Sequence, residues 1–344
     1  MRIHRNWDSL IPALTQSGLT DRRAIIITDA NVAGLFLDEI KTLLVPHFST
    51  VSHHIIPAGE TSKNFTALQD ILTAFQHAGL DRHSLVIALG GGVVGDLAGF
   101  AASIYMRGVA WANLPTTLLA QADSAVGGKT AIDFCGTKNL IGSFHQPALI
   151  YVNTAALATL PQDQYISGLA EVVKYGIIDD ALFFDYLWYN RHHIADRNVQ
   201  VLEHILHTSY KIKAKIVAQD EKDTGLRQVL NYGHTFGHAI ESLTDFTLPH
   251  GHCVALGMIC AAAYSRMDAS QTGRIATLLD FFGLPTKLPA PYNFTADDVY
   301  KMMQQDKKAT HGTITLIISH AIGSVEITHG AKESDILTTI TAIL

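Results

Sequence analysis

The first 150 residues alternate short β-branched runs with stretches whose apolar residues repeat at helical spacing. These strand-like runs occupy residues 24–28, 53–57, 85–89 and 149–152. Consecutive strands that are separated by a helix can return to the same edge of a sheet and lie parallel to each other. This alternation therefore predicts an α/β domain with a mostly parallel sheet.

From about residue 157 the pattern becomes helical and stays so for well over a hundred residues, until two strand-like runs at 313–319 and 324–328. Neither a repeat nor a long Pro/Ser linker separates the two patterns, so we expect two closely packed domains. The prediction is an α/β domain at 1–155 and a mainly α-helical domain at 156–344, with the functional site in a cleft between them.

Composition and charge argue against several classes of partner. The chain has 344 residues, of which 48% are hydrophobic, and a formal net charge of -6 without any Lys/Arg run. We therefore expect neither nucleic acid nor an anionic membrane as a partner. Cys135, Cys253 and Cys260 show no Cys-x-x-Cys spacing, which indicates neither a disulfide framework nor a thiolate zinc site. The start lacks an apolar signal core, so we expect a cytoplasmic protein.

A glycine-rich segment follows the apolar run 85–89. Gly90, Gly92 and Gly95 fit the pattern Gly-x-Gly-x-x-Gly, and a helical run follows at 97–105. Such glycines let the backbone approach a phosphate, which the N-terminus of the next helix attracts. The acidic residue that a standard Rossmann domain places about twenty residues later is missing. The segment indicates an anion-binding turn outside the standard Rossmann pattern, with a purely structural turn as the alternative.

Two more glycine-rich segments carry lysines. Asp123 and Lys129 flank a pair of glycines, and Lys138 with its neighbour Asn139 follows Gly136. Lysines on such loops are typical of anion contacts, although a single lysine is more often a solvated surface side chain.

Arg227, Asn231, His234 and His238 follow one another at spacings of four, three and four residues. At about 100° per residue a continuous helix would place them on one narrow face, which Glu241 would extend. A cation, an amide and two imidazoles on one face can bind a metal ion and an anion together. A solvated helix face is the alternative.

Two other segments favour a metal site. His250 lies at a turn sixteen residues after His234 and leads into an apolar run. Glu171 and Lys174 lie three residues apart in an otherwise apolar segment, where unpaired charges would be expensive to bury. Two imidazoles and one carboxylate suit a divalent ion such as zinc, with a coordination position left open for substrate.

Taken together, these segments resemble the 3-dehydroquinate synthases of the shikimate pathway. The resemblance rests on motifs in the family's order, at residues 90–100, 114–121, 123–130, 138–142, 169–176 and 231–238. It implies an NAD-binding α/β domain, a helical domain and a divalent metal, zinc or cobalt. The implied reaction converts 3-deoxy-D-arabino-heptulosonate 7-phosphate, a phosphorylated sugar acid, into 3-dehydroquinate and phosphate. Its steps are NAD-recycled oxidation, phosphate elimination, reduction, ring opening and aldol closure.

The resemblance also implies roles for individual residues. The implied metal ligands are Glu171, His234 and His250. The implied NAD contacts are Asp29, Glu60, Lys63, Gly91, Gly92, Asp96, Thr116, Thr117, Lys129, Lys138 and Thr159. The implied catalytic residues are Asp123, Lys129, Lys174, Arg227, Asn231 and His238, the last as a proton shuttle. The implied substrate contacts also include Asn139, Lys213, one of Lys307 or Lys308, and Arg107, which matches an arginine that reaches the neighbouring subunit's site and so implies a homodimer.

Other activities are compatible with the same motifs. Another sugar phosphate cyclase or a metal- and NAD-dependent polyol dehydrogenase would share the fold, but a dehydrogenase would not need so many anion-binding cations. A catalytically silent homologue should have lost a metal ligand or the glycine-rich segment, and the sequence retains both. His252 stands where the family usually has an acid, so it either tunes the site or competes as a ligand.

Overall fold

The computed structural model describes residues 1–305 and 314–344. They form two compact units, Met1–Leu160 and Pro161–Leu344. The boundary expected from the sequence, at 155/156, falls within the 3-10 segment Thr154–Thr159 near the end of the first unit.

The first unit contains a six-stranded sheet with the strand order β1-β8-β5-β4-β2-β3, in which every pairing is parallel. The parallel sheet predicted from the alternating pattern is thus confirmed, and each of the four strand-like runs forms a strand. The sequence pattern missed β1, β5 and the antiparallel hairpin of β6 and β7. The strands of this unit are β1 Arg2–His4, β2 Arg23–Asp29, β3 Thr50–Ile56, β4 Leu85–Gly90, β5 Ala110–Pro115, β6 Lys129–Phe134, β7 Thr137–Phe144 and β8 Leu149–Asn153.

Helices cover both faces of this sheet. Val86 of β4 packs in one apolar cluster with residues of α4 and α5, and its neighbour Ile87 packs in a second cluster with residues of α1 and α3. Successive side chains of a strand point to opposite faces, so a continuous apolar run suits a strand that is buried on both. The helices of this unit are α1 Leu10–Gln16, α2 Ala30–Val32, α3 Asp38–Leu44, α4 Phe65–His77 and α5 Gly92–Ile104.

The second unit is mainly α-helical, as predicted, with one antiparallel pair of strands at its carboxyl end. Within residues 1–305 and 314–344, none of the helices has both the length and the apolar character that crossing a bilayer requires. The elements of this unit are α6 Gln162–Ile178, α7 Ala181–Tyr189, α8 Arg191–Ala195, α9 Val199–Gln219, α10 His234–Leu243, α11 His250–Tyr264, α12 Ala269–Phe281, α13 Ala296–Gln305, β9 Thr315–Ala321, β10 Ser324–His329 and α14 Glu333–Ile340.

The stretch from Arg227 to His238 is not one helix, and the prediction of a continuous polar face was wrong. A 3-10 segment, Leu226–Asn231, ends before Gly233, which has a left-handed φ of 77°, and α10 begins at the next residue. A Cβ at Gly233 would lie 2.9 Å from the backbone nitrogen of Met258, so α11 passes too close for a larger residue. The helical spacing therefore holds only from His234 onward.

Candidate active site

In the first unit, most of the residues assigned to NAD follow the carboxyl ends of neighbouring strands. Asp29 ends β2, Gly91 follows β4 and Thr116 follows β5, while Glu60 and Lys63 lie beyond the end of β3. The chain adds β3 on one side of β2 and β4 on the other, so the strand order reverses between β2 and β4. Open parallel sheets bind ligands at such reversals, outside the carboxyl ends of the strands.

The glycine-rich segment forms the turn between β4 and α5. Gly91 is the residue before the first turn of α5, and it lines a small pocket with Gly92, Asp96 and Lys129. Backbone N–H groups at the start of a 13-residue helix and a lysine ammonium are both suited to an anion. The pocket thus joins two of the glycine-rich segments that the sequence singled out.

Lys63 is the centre of a charged cluster in the same unit. It is only 4% exposed, and its Nζ lies 2.6 Å from Asp96 Oδ2, 2.5 Å from Asn139 Oδ1 and 3.8 Å from Glu60 Oε1. Lys138 Nζ lies 3.9 Å from the same Glu60 oxygen. Burial alone would lower the pKa of Lys63, but the charges of Asp96 and Glu60 raise it overall, so the ammonium stays charged. The structure thus brings together four residues assigned to NAD and one, Asn139, assigned to substrate.

The other assigned residues of this unit occupy separate positions. Asp29 Oδ1 accepts hydrogen bonds from the N–H groups of Asn31 and Val32 and so caps α2. Thr117 Oγ1 accepts from Ala120 N–H, at the start of the π-helical segment that contains Asp123. The buried Thr116 Oγ1 has no hydrogen-bond partner among the described residues. The hydroxyl of Thr159 donates to Ala156 O. Arg107 is exposed and ends the 3-10 turn Tyr105–Arg107.

In the second unit, three helices bring together the residues assigned to the metal. Glu171 on α6, His234 on α10 and His250 on α11 each offer a ligand atom, and these atoms lie within 4.8 Å of one another. Both imidazoles face the same carboxylate oxygen, because the Nε2 atoms of His234 and His250 lie 3.2 and 3.4 Å from Glu171 Oε1. One carboxylate and two imidazoles that converge on one point are a donor set that suits zinc or cobalt.

The negative charge of the buried Glu171 side chain is balanced by a neighbouring cation. Its other oxygen, Oε2, pairs with Lys174 on the next turn of α6. Burial alone would raise the pKa of Glu171, but the charge of Lys174 and, after it, the contacts with the two imidazoles hold it well below its usual range. Burial lowers the pKa of His234 to about 4, which leaves this imidazole neutral and able to bind a metal at neutral pH. Burial alone would lower the pKa of His250, but the hydrogen bonds that its ring donates to Glu171 and Glu241 raise it to about 10.

The remaining assigned cations of this unit are buried as well. Lys213 on α9 is 6% exposed and Arg227 is 3% exposed. The Arg227 guanidinium donates to Glu221 O at 2.6 Å, and its backbone N–H donates to Asp220 Oδ2 at 3.0 Å. Asn231 ends the same 3-10 segment. Lys307 and Lys308 lie outside the described residues.

Comparison with known proteins decides the family. The 3-dehydroquinate synthase N-terminal family model matches residues 53–167, and the C-terminal model of the same family matches residues 168–309. A 3-dehydroquinate synthase of Desulforamulus reducens is 45% identical over 324 residues, which is 92% of this chain and 89% of the relative. The chain belongs to the 3-dehydroquinate synthase family. The resemblance drawn from the sequence motifs is therefore confirmed.

Further relatives agree with this assignment. A 3-dehydroquinate synthase of Acetivibrio thermocellus is 44% identical over 314 residues, which is 90% of this chain and 86% of the relative. The solved structure of ValA, a 2-epi-5-epi-valiolone synthase of Streptomyces hygroscopicus with NAD+ and Zn2+ bound, has a TM-score of 0.90 at 24% identity. That comparison covers 99% of this chain and 95% of ValA, and it shows that the fold is shared.

His252, which the sequence analysis considered as a competing ligand, is not part of a candidate metal group among the described residues. Its Nδ1 is buried and has no hydrogen-bond partner among those residues. Burial lowers the pKa of His252, with the charge of Asp163 acting in the opposite direction. The side chain as a whole is only partly buried, and its lowered pKa favours the neutral imidazole.

Sequence reasoning missed two residues that shape the site. The carboxylate of Asp220 accepts hydrogen bonds from the N–H groups of Thr224, Gly225 and Arg227, which fixes the loop that presents Arg227. Aspartates commonly accept from backbone N–H groups two residues on, but these donors lie four to seven residues on, so the local spacing carries little signal. Ser167 Oγ accepts from Gly251 N–H, the residue after His250. The second contact joins residues 84 positions apart, and the sequence carries no local signal for it.

Proposed function

We propose that the chain is a 3-dehydroquinate synthase that converts 3-deoxy-D-arabino-heptulosonate 7-phosphate into 3-dehydroquinate and phosphate. The observation that carries this proposal is 45% identity to a 3-dehydroquinate synthase over 92% of the chain and 89% of the relative. The reaction takes place without net consumption of NAD, because the hydride removed in the first step returns in a later one.

We also propose that the chain binds NAD through the first unit and a divalent metal through the second. ValA, which shares the fold, has NAD+ and Zn2+ bound in its solved structure. In this chain the convergence of Glu171, His234 and His250 supports the metal, and the glycine turn before α5 supports the pyrophosphate of NAD. When bound, the metal would polarise an alcohol oxygen of the substrate and NAD would accept and return one hydride.

The buried cations have the charge that the substrate requires. The substrate carries a carboxylate and a phosphate, which need several donors of positive charge. Lys174, Lys213 and Arg227 are buried in the second unit, and each would form stronger ion pairs there than in water. We assign them to the two anionic groups of the substrate, with Lys307 or Lys308 as a further contact, and Asp123, Lys129 and Asn139 as contacts from the first unit.

Proton transfer is assigned to His238. This imidazole lies one helical turn after the ligand His234 on α10, with 5.3 Å between the ring centres. It is only partly buried, so it can contact a substrate and exchange a proton with water. Asn231, just before the break at Gly233, would hold a substrate hydroxyl through its amide.

We further propose a cytoplasmic homodimer in which Arg107 reaches the site of the neighbouring subunit. The exposed Arg107 supports this, because its φ of 69° and the φ of 49° at Met106 are left-handed values at two consecutive non-glycine residues. Such conformations are costly, and they persist where the surrounding structure holds a side chain in a required direction.

Product analysis tests the activity. The purified protein is mixed with NAD, zinc and the heptulosonate phosphate, and the products are identified by mass spectrometry and a phosphate assay. We expect 3-dehydroquinate and phosphate in equal amounts. A different carbocycle would identify another sugar phosphate cyclase, and an oxidised substrate that keeps its phosphate would identify a dehydrogenase.

A further inference from the structure

The two histidines assigned to the metal differ in the group that contacts Nδ1, the ring nitrogen opposite Nε2. His234 Nδ1 lies 3.1 Å from the backbone carbonyl oxygen of Tyr232. His250 Nδ1 lies 3.3 Å from the carboxylate oxygen Oε2 of Glu241. Both rings turn Nε2 toward Glu171 Oε1, so the Nδ1 contacts fix the direction in which each ligand atom points.

His250 depends on such a contact more than His234 does. The His250 side chain is 29% exposed and belongs to the first residue of α11, whereas the His234 side chain is 11% exposed. Less packing therefore restricts the ring of His250. The partner is well anchored, because the Glu241 side chain is 5% exposed and lies on α10, seven residues after His234.

We propose that Glu241 is a positioning residue for the metal site. An ionised carboxylate can only accept hydrogen bonds, so His250 Nδ1 donates to Glu241, and a metal would bind at Nε2 by displacing the second proton of the ring. A carboxylate behind a ligand histidine also makes that ligand more basic. This inference rests on the metal proposed above, and it gives a function to a buried carboxylate that the proposed reaction does not use.

His238, Glu241 and His250 also form a group of close ligand atoms. In that arrangement Glu241 itself would bind the ion. The geometry favours the positioning role, since both imidazoles direct Nε2 to the oxygen of Glu171 and Glu241 contacts the opposite ring atom of His250.

Zinc affinity tests the proposal without any measurement of activity. Metal-free wild type, Glu241→Gln and Glu241→Ala are titrated with zinc against a competing chelator. We expect Glu241→Ala to bind zinc about 10- to 100-fold more weakly, the usual effect of removing such a partner, and Glu241→Gln to lie between it and wild type. Glu326→Gln is the matched control, because Glu326 pairs with His320 at 3.2 Å on an exposed surface, and its zinc affinity should equal that of wild type.

Cobalt absorption and metal content complete the test. The visible spectrum of the cobalt-loaded Glu241 variants should differ from that of wild type, because the ring of His250 is no longer held. Wild-type zinc affinity and an unchanged cobalt spectrum in both Glu241 variants would overturn the proposal. Zinc bound by His234→Ala but lost from Glu241→Ala would also overturn it, because Glu241 would then be a ligand.

Two controls distinguish loss of the Glu241 contact from misfolding of the variants and from absence of a metal site in the wild type. Melting of the metal-free proteins shows whether each variant folds, and if Glu241→Ala does not, the isosteric Glu241→Gln decides. Failure of the wild type itself to bind zinc or cobalt would contradict the metal of the proposed function. Binding by wild type and by both variants with equal affinity would contradict the role of Glu241 alone.

Discussion

The group of charges around Lys63 in the first unit and the group around Glu171 in the second each surround one buried charge, but the chain assembles them in different ways. The Lys63 cluster gathers side chains from the loop after β3, from α5 and from β7, close to where parallel strands end. The Glu171 cluster gathers side chains from the middle or the start of helices α6, α10 and α11. In a parallel sheet the carboxyl ends of all strands lie at the same edge, so residues that follow different strands lie near one another. Helices bring side chains together only where their backbones approach closely.

Close approach in the second unit depends on glycine. A Cβ at Gly251 would lie 1.9 Å from the backbone oxygen of Ser167, so only glycine allows α11 to begin against α6. This contact brings His250 to the helix that carries Glu171. If the two clusters serve different ligands, as we propose, variants of each should affect its own ligand and leave the other unchanged.

The largest effect is expected for His234→Ala. Loss of a metal ligand should lower zinc affinity by more than ~100-fold, beyond the range for residues that only support a ligand, and should abolish activity. NAD affinity should stay as in wild type. Elemental analysis and NAD titration check this, with His320→Ala as a control at an exposed histidine. Unchanged metal content would show that His234 is not a ligand.

Lys63→Met should weaken NAD binding and leave zinc binding unchanged, the reverse of the result expected for His234→Ala. It leaves Asp96 without its ammonium partner at 2.6 Å, which we expect to cost about 3 kcal/mol of unfolding free energy. NAD should bind at least about 10-fold more weakly while zinc affinity is unchanged. Lys215→Met, which breaks an exposed pair with Asp179, should cost less than about 1 kcal/mol. Equal losses of NAD and zinc affinity in Lys63→Met would mean that the two clusters do not act separately.

Arg107→Ala should have a smaller effect that depends on the proposed dimer. Loss of a charge-assisted contact to phosphate should raise the Michaelis constant about 10-fold with NAD affinity unchanged. Mixing this variant with inactive Lys174→Ala, under conditions that allow subunit exchange, should restore activity in hybrid dimers. No recovery, with heterodimers verified by mass spectrometry, would argue that each subunit holds a complete site.

The smallest effect concerns Asp220, which is half-buried. Its hydrogen bonds from backbone N–H groups, that of Thr224 first, lower its pKa from 3.8 to about 2. Its contribution to stability is therefore fully present above about pH 4 and is lost as the pH falls through about 2. Wild type should melt slightly higher than Asp220→Asn at pH 7, and the difference should shrink by pH 3. A difference that grows as the pH falls would contradict the lowered pKa.

The parts of the fold that the sequence predicted are those with local periodicity. The runs at 24–28, 85–89 and 149–152 became strands that are buried on both faces. The run at 53–57 became part of β3, the edge strand of the sheet, which is mostly exposed or half-buried. Strand β5 was not predicted, because Asn113 interrupts its apolar run and Pro115 ends it. The β6–β7 hairpin was missed because it turns at Cys135 and Gly136, which both have positive φ, and not at a recognised hairpin pair.

The candidate site was predicted in composition but not in geometry. The three candidate metal ligands were named from their spacing and chemistry. The helix break at Gly233 was not predicted, because it depends on how closely α11 packs against this residue, and sequence spacing carries no information about packing. The contact between Glu241 and His250 likewise arises from two helices that pack together, so the sequence could place Glu241 on the right face without showing what it touches.

Phosphate and NADH measured in the same reaction test the central claim most directly. The protein is incubated with zinc, the heptulosonate phosphate and NAD at a concentration far below that of the substrate. We expect many phosphate ions to be released per NAD molecule, with no accumulation of NADH, because each hydride returns before product leaves. NADH that rises with substrate oxidised until the NAD is exhausted, without release of phosphate, would contradict the account.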